Sequence, residues 1–225
     1  MILSRKKKYL QIALNSNLND AYAIIRQLPP SDRILIEAGT PLIKKYGMDA
    51  VAQLHGWWAS QLQGTDFLPY IVADMKTMDR ADREVGDAFA AGASAVVALG
   101  SAPIETLNSF VRECEKVGMD SMVDVMGVKE PIKILRTIPK QPDVVILHRG
   151  VDEEKFNKDK PIPYVQIHKI RSAYPTMISI AGGDSIREVQ RAVFNDAQIV
   201  VVWKEFYEAT QVVGKLAEDF LKAIK

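Results

Sequence analysis

A chain of 225 residues with a formal net charge of +1 and 25% charged side chains is long enough to bury a sizeable core, and it lacks the basic excess of a nucleic-acid-binding surface or a polybasic membrane segment. Its one cysteine, Cys114, excludes an internal disulfide and fits a reducing, cytoplasmic setting. The single dense basic run, Arg5-Lys6-Lys7-Lys8, precedes an apolar stretch broken at Gln11 and far too short for a signal segment or a membrane span, so it reads as a solvated lead-in.

Eight short runs, rich in β-branched and aliphatic residues, alternate with amphipathic stretches from end to end. The first, residues 9–15, ends on Asn15 and leads into helical spacing at Ala21, Ile24, Ile25 and Leu28, with Asn19 or Asp20 at the cap position. The second, residues 33–38, has Glu37 near its end; His55, Trp57 and Trp58 follow in a stretch that reads as helix packing. The third, residues 69–74, runs into Val72-Ala73-Asp74-Met75-Lys76-Thr77-Met78-Asp79. The fourth, residues 95–99, ends at Gly100; Ser101 is placed as a cap for Ile104, Leu107, Phe110 and Val111, and Cys114 falls in the same pattern as a small buried side chain. The fifth, residues 121–124, ends on Asp124, and the sixth, residues 143–148, ends on His148. The seventh, residues 176–181, is followed by Gly182-Gly183 and the cap Asp184-Ser185, and the eighth, residues 198–203, by Lys204. Spread over 225 residues, eight runs give a unit of about 28, the size of one βα repeat. Runs apolar on both faces suit a parallel sheet covered by helices. The expected architecture is a single (β/α)8 TIM barrel over residues 1–225, with an open doubly wound sheet as the alternative.

In either fold, ligands bind beyond the carboxyl ends of the strands, and those ends form a polar ring: Asn15, Glu37, Asp74 with Lys76, Gly100, Asp124, His148, Gly182-Gly183 and Trp203-Lys204. Glu37 and Asp74 end neighbouring strands, and two carboxylates with open positions suit Mg2+ or Mn2+; the competing reading makes Glu37 an ion-pair partner for Lys44 or Arg33. His55, His148 and His168 have no zinc spacing. Lys76, flanked by Asp74 and Asp79, is expected to stay a charged ammonium aimed at an oxyanion and not to form a Schiff base. His148 is placed to exchange a proton near neutral pH. Gly182 and Gly183 open a path for an anion to backbone N–H groups, with Lys204 adding charge.

Asp74-x-Lys76-x-x-Asp79 after a third strand resembles the signature of the orotidine monophosphate decarboxylase suprafamily. Within it, Glu37-Ala38-Gly39-Thr40-Pro41-Leu42, the Val72–Asp79 stretch and His148-x-Gly150-x-Asp152 resemble the 3-hexulose-6-phosphate synthases, above all the archaeal form that occurs fused to a formaldehyde-activating domain. The resemblance implies an aldehyde-lyase that interconverts D-arabino-3-hexulose 6-phosphate with D-ribulose 5-phosphate and formaldehyde. It implies Mg2+ on Glu37 and Asp74, Lys76 beside the enediolate, and His148 moving the C1 proton. Asn15, Gly182, Gly183 and Lys204 would hold substrate, and Asp79 would reach a neighbouring subunit's site in an obligate homodimer. Asn15 stands where such synthases usually have an aspartate, and Trp203-Lys204 where they have Gly-Gly or Gly-Arg. The rival expectations are a 3-keto-L-gulonate 6-phosphate decarboxylase, which would need an arginine where Val151 stands, and a catalytically silent sugar-phosphate-binding barrel.

Overall fold

The computed structural model describes residues 1–157, 162, 164–209 and 211–225. Eight parallel strands close in sequence order into a barrel: β1 Tyr9–Leu14, β2 Ile34–Ala38, β3 Ile71–Thr77, β4 Ala95–Leu99, β5 Asp120–Asp124, β6 Val144–His148, β7 Met177–Ala181 and β8 Ile199–Val202. The helices among the described residues are α1 Leu18–Ile25, α2 Thr40–Tyr46, α3 Met48–Gln61, α4 Ala81–Ala90, α5 Ile104–Val117, α6 Pro131–Thr137, α7 Val151–Phe156, α8 Val165–Ala173, α9 Ile186–Phe194, α10 Lys204–Glu208 and α11 Val213–Ala223. None of them is long and apolar enough to cross a membrane.

Two concentric cores explain why the strands are apolar on both faces. One lies between sheet and helices and buries residues such as Ile12, Ile36, Trp58, Phe110 and Phe220; the other fills the barrel with Tyr9, Leu35, Tyr70, Val97, Met122, Ile146 and Ile199. The stagger of the hydrogen-bonded register stacks the inward side chains in tiers. Towards the carboxyl ends the lining turns polar, with Glu37, Asp74, Asp124 and His148 around one cavity together with Trp203. The opposite end is closed by the first residues of the chain: Asp120, fully buried, accepts hydrogen bonds from the Ile2 and Leu3 N–H groups and, at 2.8 Å, from the Tyr70 hydroxyl.

Local chemistry sets the helices. In α5, Thr106, Leu107, Phe110, Val111 and Cys114 share the buried face, and Gly118 at φ 76° ends the helix in the left-handed conformation. Ser185 caps α9 reciprocally with Glu188. Two expected caps are displaced. The α1 cap is Asn17, whose side chain accepts from the Asp20 N–H at 3.0 Å, not Asn19 or Asp20; and α5 is entered through Pro103 and not Ser101, because proline's missing N–H has no helical partner to lose there.

Candidate active site

A cavity of about 600 Å³ occupies the carboxyl-end mouth, lined by Glu37, Asp74, Lys76, Asp124, His148 and Trp203 among others, a size suited to a small phosphorylated metabolite. The strand β3 shapes it. Its pairing with β4 shifts register between Ala73 and Thr77, and Lys76 lies at φ 51°, so the strand runs past the expected end at Asp74 and turns the lysine back. The Lys76 Nζ thereby sits 2.8 and 2.7 Å from the two oxygens of Asp74 and 3.1 Å from Asp124 Oδ2. Thr40, at the start of α2, donates its hydroxyl to the Asp74 carboxylate at 2.9 Å and orients it.

Asp124 is the hub. Only 1% exposed, its Oδ2 meets both Lys76 and, at 2.7 Å, His148 Nδ1, while Oδ1 accepts the Met126 N–H at 2.9 Å. An ionised carboxylate can only accept, so Nδ1 carries the hydrogen and Nε2 is left as the proton acceptor. Burial by itself would raise Asp124, but His148 and Lys76 hold its pKa below the ordinary carboxylate value. Burial would lower His148, and Asp124 outweighs it, so the imidazole titrates above its usual range. Lys76 follows the same logic: desolvation lowers it, Asp74 and Asp124 raise it more, and the ammonium stays charged. That fits the expected ammonium and not an amine nucleophile.

Glu37 is the exception. Burial and then the Asp74 charge push its pKa up to about 7. Its partner is neither Lys44 nor Arg33 but Gln11, which donates its amide N–H to Glu37 from the barrel interior; Arg33 instead donates to main-chain carbonyls of Leu221 and Ile224. Gln11 Oε1 is buried with no hydrogen-bond partner. Glu37, Asp74 and Gln11 therefore present oxygen donors to one cavity, a hard-cation set. Among the described residues no three His, Cys, Asp or Glu side chains are grouped to hold a metal, so a cation here would take its remaining ligands from water and substrate, as Mg2+ commonly does.

Asn15 lines the mouth, its N–H bonded to the Tyr207 hydroxyl at 2.8 Å and its side chain packed so close to Gly39 that a Cβ there would lie 1.8 Å from Asn15 Oδ1. On the far side, Gly182 lies at φ 100°, against the Arg149 carbonyl, and Lys204 is bonded to Glu154. Asp79 is exposed and stands outside the cavity of its own chain. Trp58 is buried helix packing, Trp57 meets Tyr22 edge-on, and Cys114 is buried, each as expected. The sequence sets Asp124 in the polar ring without marking its role, and it marks no role for Gln11 or Thr40. The inward parity of Gln11, four residues before Asn15 on a strand, was the available signal.

Residues 8–217 match the model of the orotidine 5'-phosphate decarboxylase / HUMPS family. The chain is 34% identical over 221 residues to the bifunctional enzyme Fae/Hps of Methanocella arvoryzae, covering 96% of this chain and 53% of that one. It is 37% identical over 195 residues to the Methanocaldococcus jannaschii enzyme of the same name, covering 86% and 46%. It thus spans about half the length of these curated relatives. A crystal structure of 3-hexulose-6-phosphate synthase superposes with a TM-score of 0.82 at 25% identity, covering 96% of this chain and all of that one. On the family match and the barrel that bears it, this chain belongs to the orotidine 5'-phosphate decarboxylase / HUMPS family.

Proposed function

We propose that the protein is an aldehyde-lyase of the hexulose-phosphate synthase type, interconverting D-arabino-3-hexulose 6-phosphate with D-ribulose 5-phosphate and formaldehyde. The observation that supports it most is the Asp74–Lys76–Asp124–His148 chain of contacts, which joins a permanent cation and an oriented base in one mouth. In the synthetic direction His148 Nε2 takes a proton from C1 of the pentulose, and Lys76 faces the developing enediolate oxygen. C1 then forms a bond to the formaldehyde carbon, and the carbonyl oxygen of formaldehyde takes up a proton. Mg2+ or Mn2+, when bound at Glu37 and Asp74, supplies a fixed double positive charge beside the ketose oxygens. In this reading Asn15 would meet a substrate hydroxyl, and Gly182, Gly183 and Lys204 the phosphate end. Asp79 is proposed to enter the partner subunit's mouth in a homodimer, and formaldehyde to be delivered by a formaldehyde-activating domain, a role in keeping with the name of the bifunctional relatives.

Formaldehyde release from hexulose 6-phosphate, assayed with and without EDTA, tests the reading. Turnover should stop in chelator and return with Mg2+, and Lys76→Ala should lower kcat by about 10³-fold or more. Full turnover in EDTA would remove the metal from the mechanism, and CO2 evolved from 3-keto-L-gulonate 6-phosphate would mark the decarboxylase instead.

A further inference from the structure

The end of the mouth assigned to phosphate is already filled by the protein. Asp184, directly after the glycine pair, turns its carboxylate onto two backbone N–H groups at the carboxyl end of β8: Oδ1 accepts from Trp203 at 2.9 Å and from Lys204 at 3.3 Å. Its other oxygen lies 3.7 Å from the Lys204 ammonium, which is also bonded at 2.7 Å to Glu154 Oε2. Arg149, the other cation of this corner, lies 3.9 Å from Glu154 and 3.7 Å from Glu188 and donates to the Gly182 carbonyl at 2.7 Å. Glu188 also accepts from the Ser185 N–H at 3.1 Å. Among the described residues, Asp184, Glu154 and Glu188 thus share this corner with Lys204 and Arg149. The Trp203 side chain, third in the inward series after Ile199 and Val201, packs on the barrel-interior cluster and lines the cavity, with Lys204 Nζ 5.5 Å from its ring centre.

A phosphate dianion reaching the carboxyl end of β8 meets the Asp184 carboxylate and finds the Trp203 and Lys204 N–H groups in use. We infer that Asp184 is a specificity-determining residue: its carboxylate occupies the anion seat of this mouth, so that a phosphorylated ketose binds only by displacing it from the Trp203 and Lys204 N–H groups. The inference rests on the lyase reading for the identity of the ketose, but not on turnover. It follows that this chain discriminates weakly between a phosphorylated and an unphosphorylated sugar, because the gain from seating the phosphate is offset by the bonds Asp184 gives up.

Calorimetric titration with D-ribulose 5-phosphate and with D-ribulose tests this on the parent, Asp184→Ala and Asp184→Asn. Charge-assisted hydrogen bonds of about 1.5–3 kcal/mol predict that Asp184→Ala tightens the phosphorylated ketose by about tenfold or more and leaves D-ribulose unchanged. Asp184→Asn, which keeps an acceptor but removes the charge, should gain in the same direction by less. Equal or weaker binding of the phosphorylated sugar in both variants overturns the inference. If Asp184→Ala does not fold, Asp184→Asn decides by the same criterion. Should the Asp184 effect appear while the parent releases no formaldehyde, the lyase reading falls and this one stands.

Discussion

Asp124 gives the mouth its chemistry although it faces no solvent. It selects the His148 tautomer and shares its Oδ2 with the Lys76 ammonium, so removing its charge should disturb both partners at once. Asp124→Asn is expected to lower kcat by about 10²-fold or more with a smaller change in KM. The imidazole pKa, read by NMR titration, should fall as its ionic partner is lost. A histidine that titrates as before would show that Asp124 does not set its protonation. The polar ring was legible because each member ends an apolar run, whereas the pairings within it were not. Gln11 meets Glu37 across 26 positions of sequence and Asp124 meets His148 across 24; which inward residues share a tier depends on the barrel's stagger, a property of closure that no local pattern encodes.

At the scale of elements, the amino end of the barrel is sealed by one buried carboxylate. Asp120 at the start of β5 collects two backbone N–H groups of the leading segment and the Tyr70 hydroxyl of the residue before β3. Asp120→Ala leaves those donors unpaired and should cost about 3–5 kcal/mol, a drop in Tm on the order of 10 °C for a chain of this size. A change of only a degree or two in a calorimetric scan would mean the segment is not coupled to the barrel. The eight strands were readable because burial on both faces demands continuous apolar runs. The β3 extension to Thr77 was not, because a bulge with a lysine at positive φ has no sequence signature of its own. The displaced caps of α1 and α5 have different origins: at α1 several residues suit the position and the Asn17 side-chain bond selects among them, whereas α5 is entered through Pro103 with no side-chain cap bond at all.

For the molecule as a whole, two titrations act in one direction. Glu37, near 7 in the fold against an ordinary 4.5, keeps its proton in the folded state longer than in the unfolded one; its contribution is complete below about 4.5 and is lost as pH rises through 7. His148, also raised, adds stability below its unfolded value near 6.5 that is lost as pH climbs through its folded value. In EDTA, Tm should therefore decline from mildly acidic to neutral and alkaline pH, and Glu37→Gln should flatten the lower part of the decline; a Tm that rises across this window would contradict the assignment. The proposed dimer has its own test. Lys76→Ala and Asp79→Ala, each inactive alone, would together form heterodimers with one intact mouth in two, so a randomised mixture should regain about a quarter of parental activity; a mixture that stays dead would confine Asp79 to its own subunit. Lys76 itself occupies a backbone conformation that non-glycine residues adopt at a cost of about 1 kcal/mol. A glycine in its place would relax that joint while deleting the ammonium, so selection for sturdiness and selection for catalysis pull this position in opposite directions. A descendant relieved of its chemistry would be expected to drift there first, gaining resilience in the step that ends its usefulness as an enzyme.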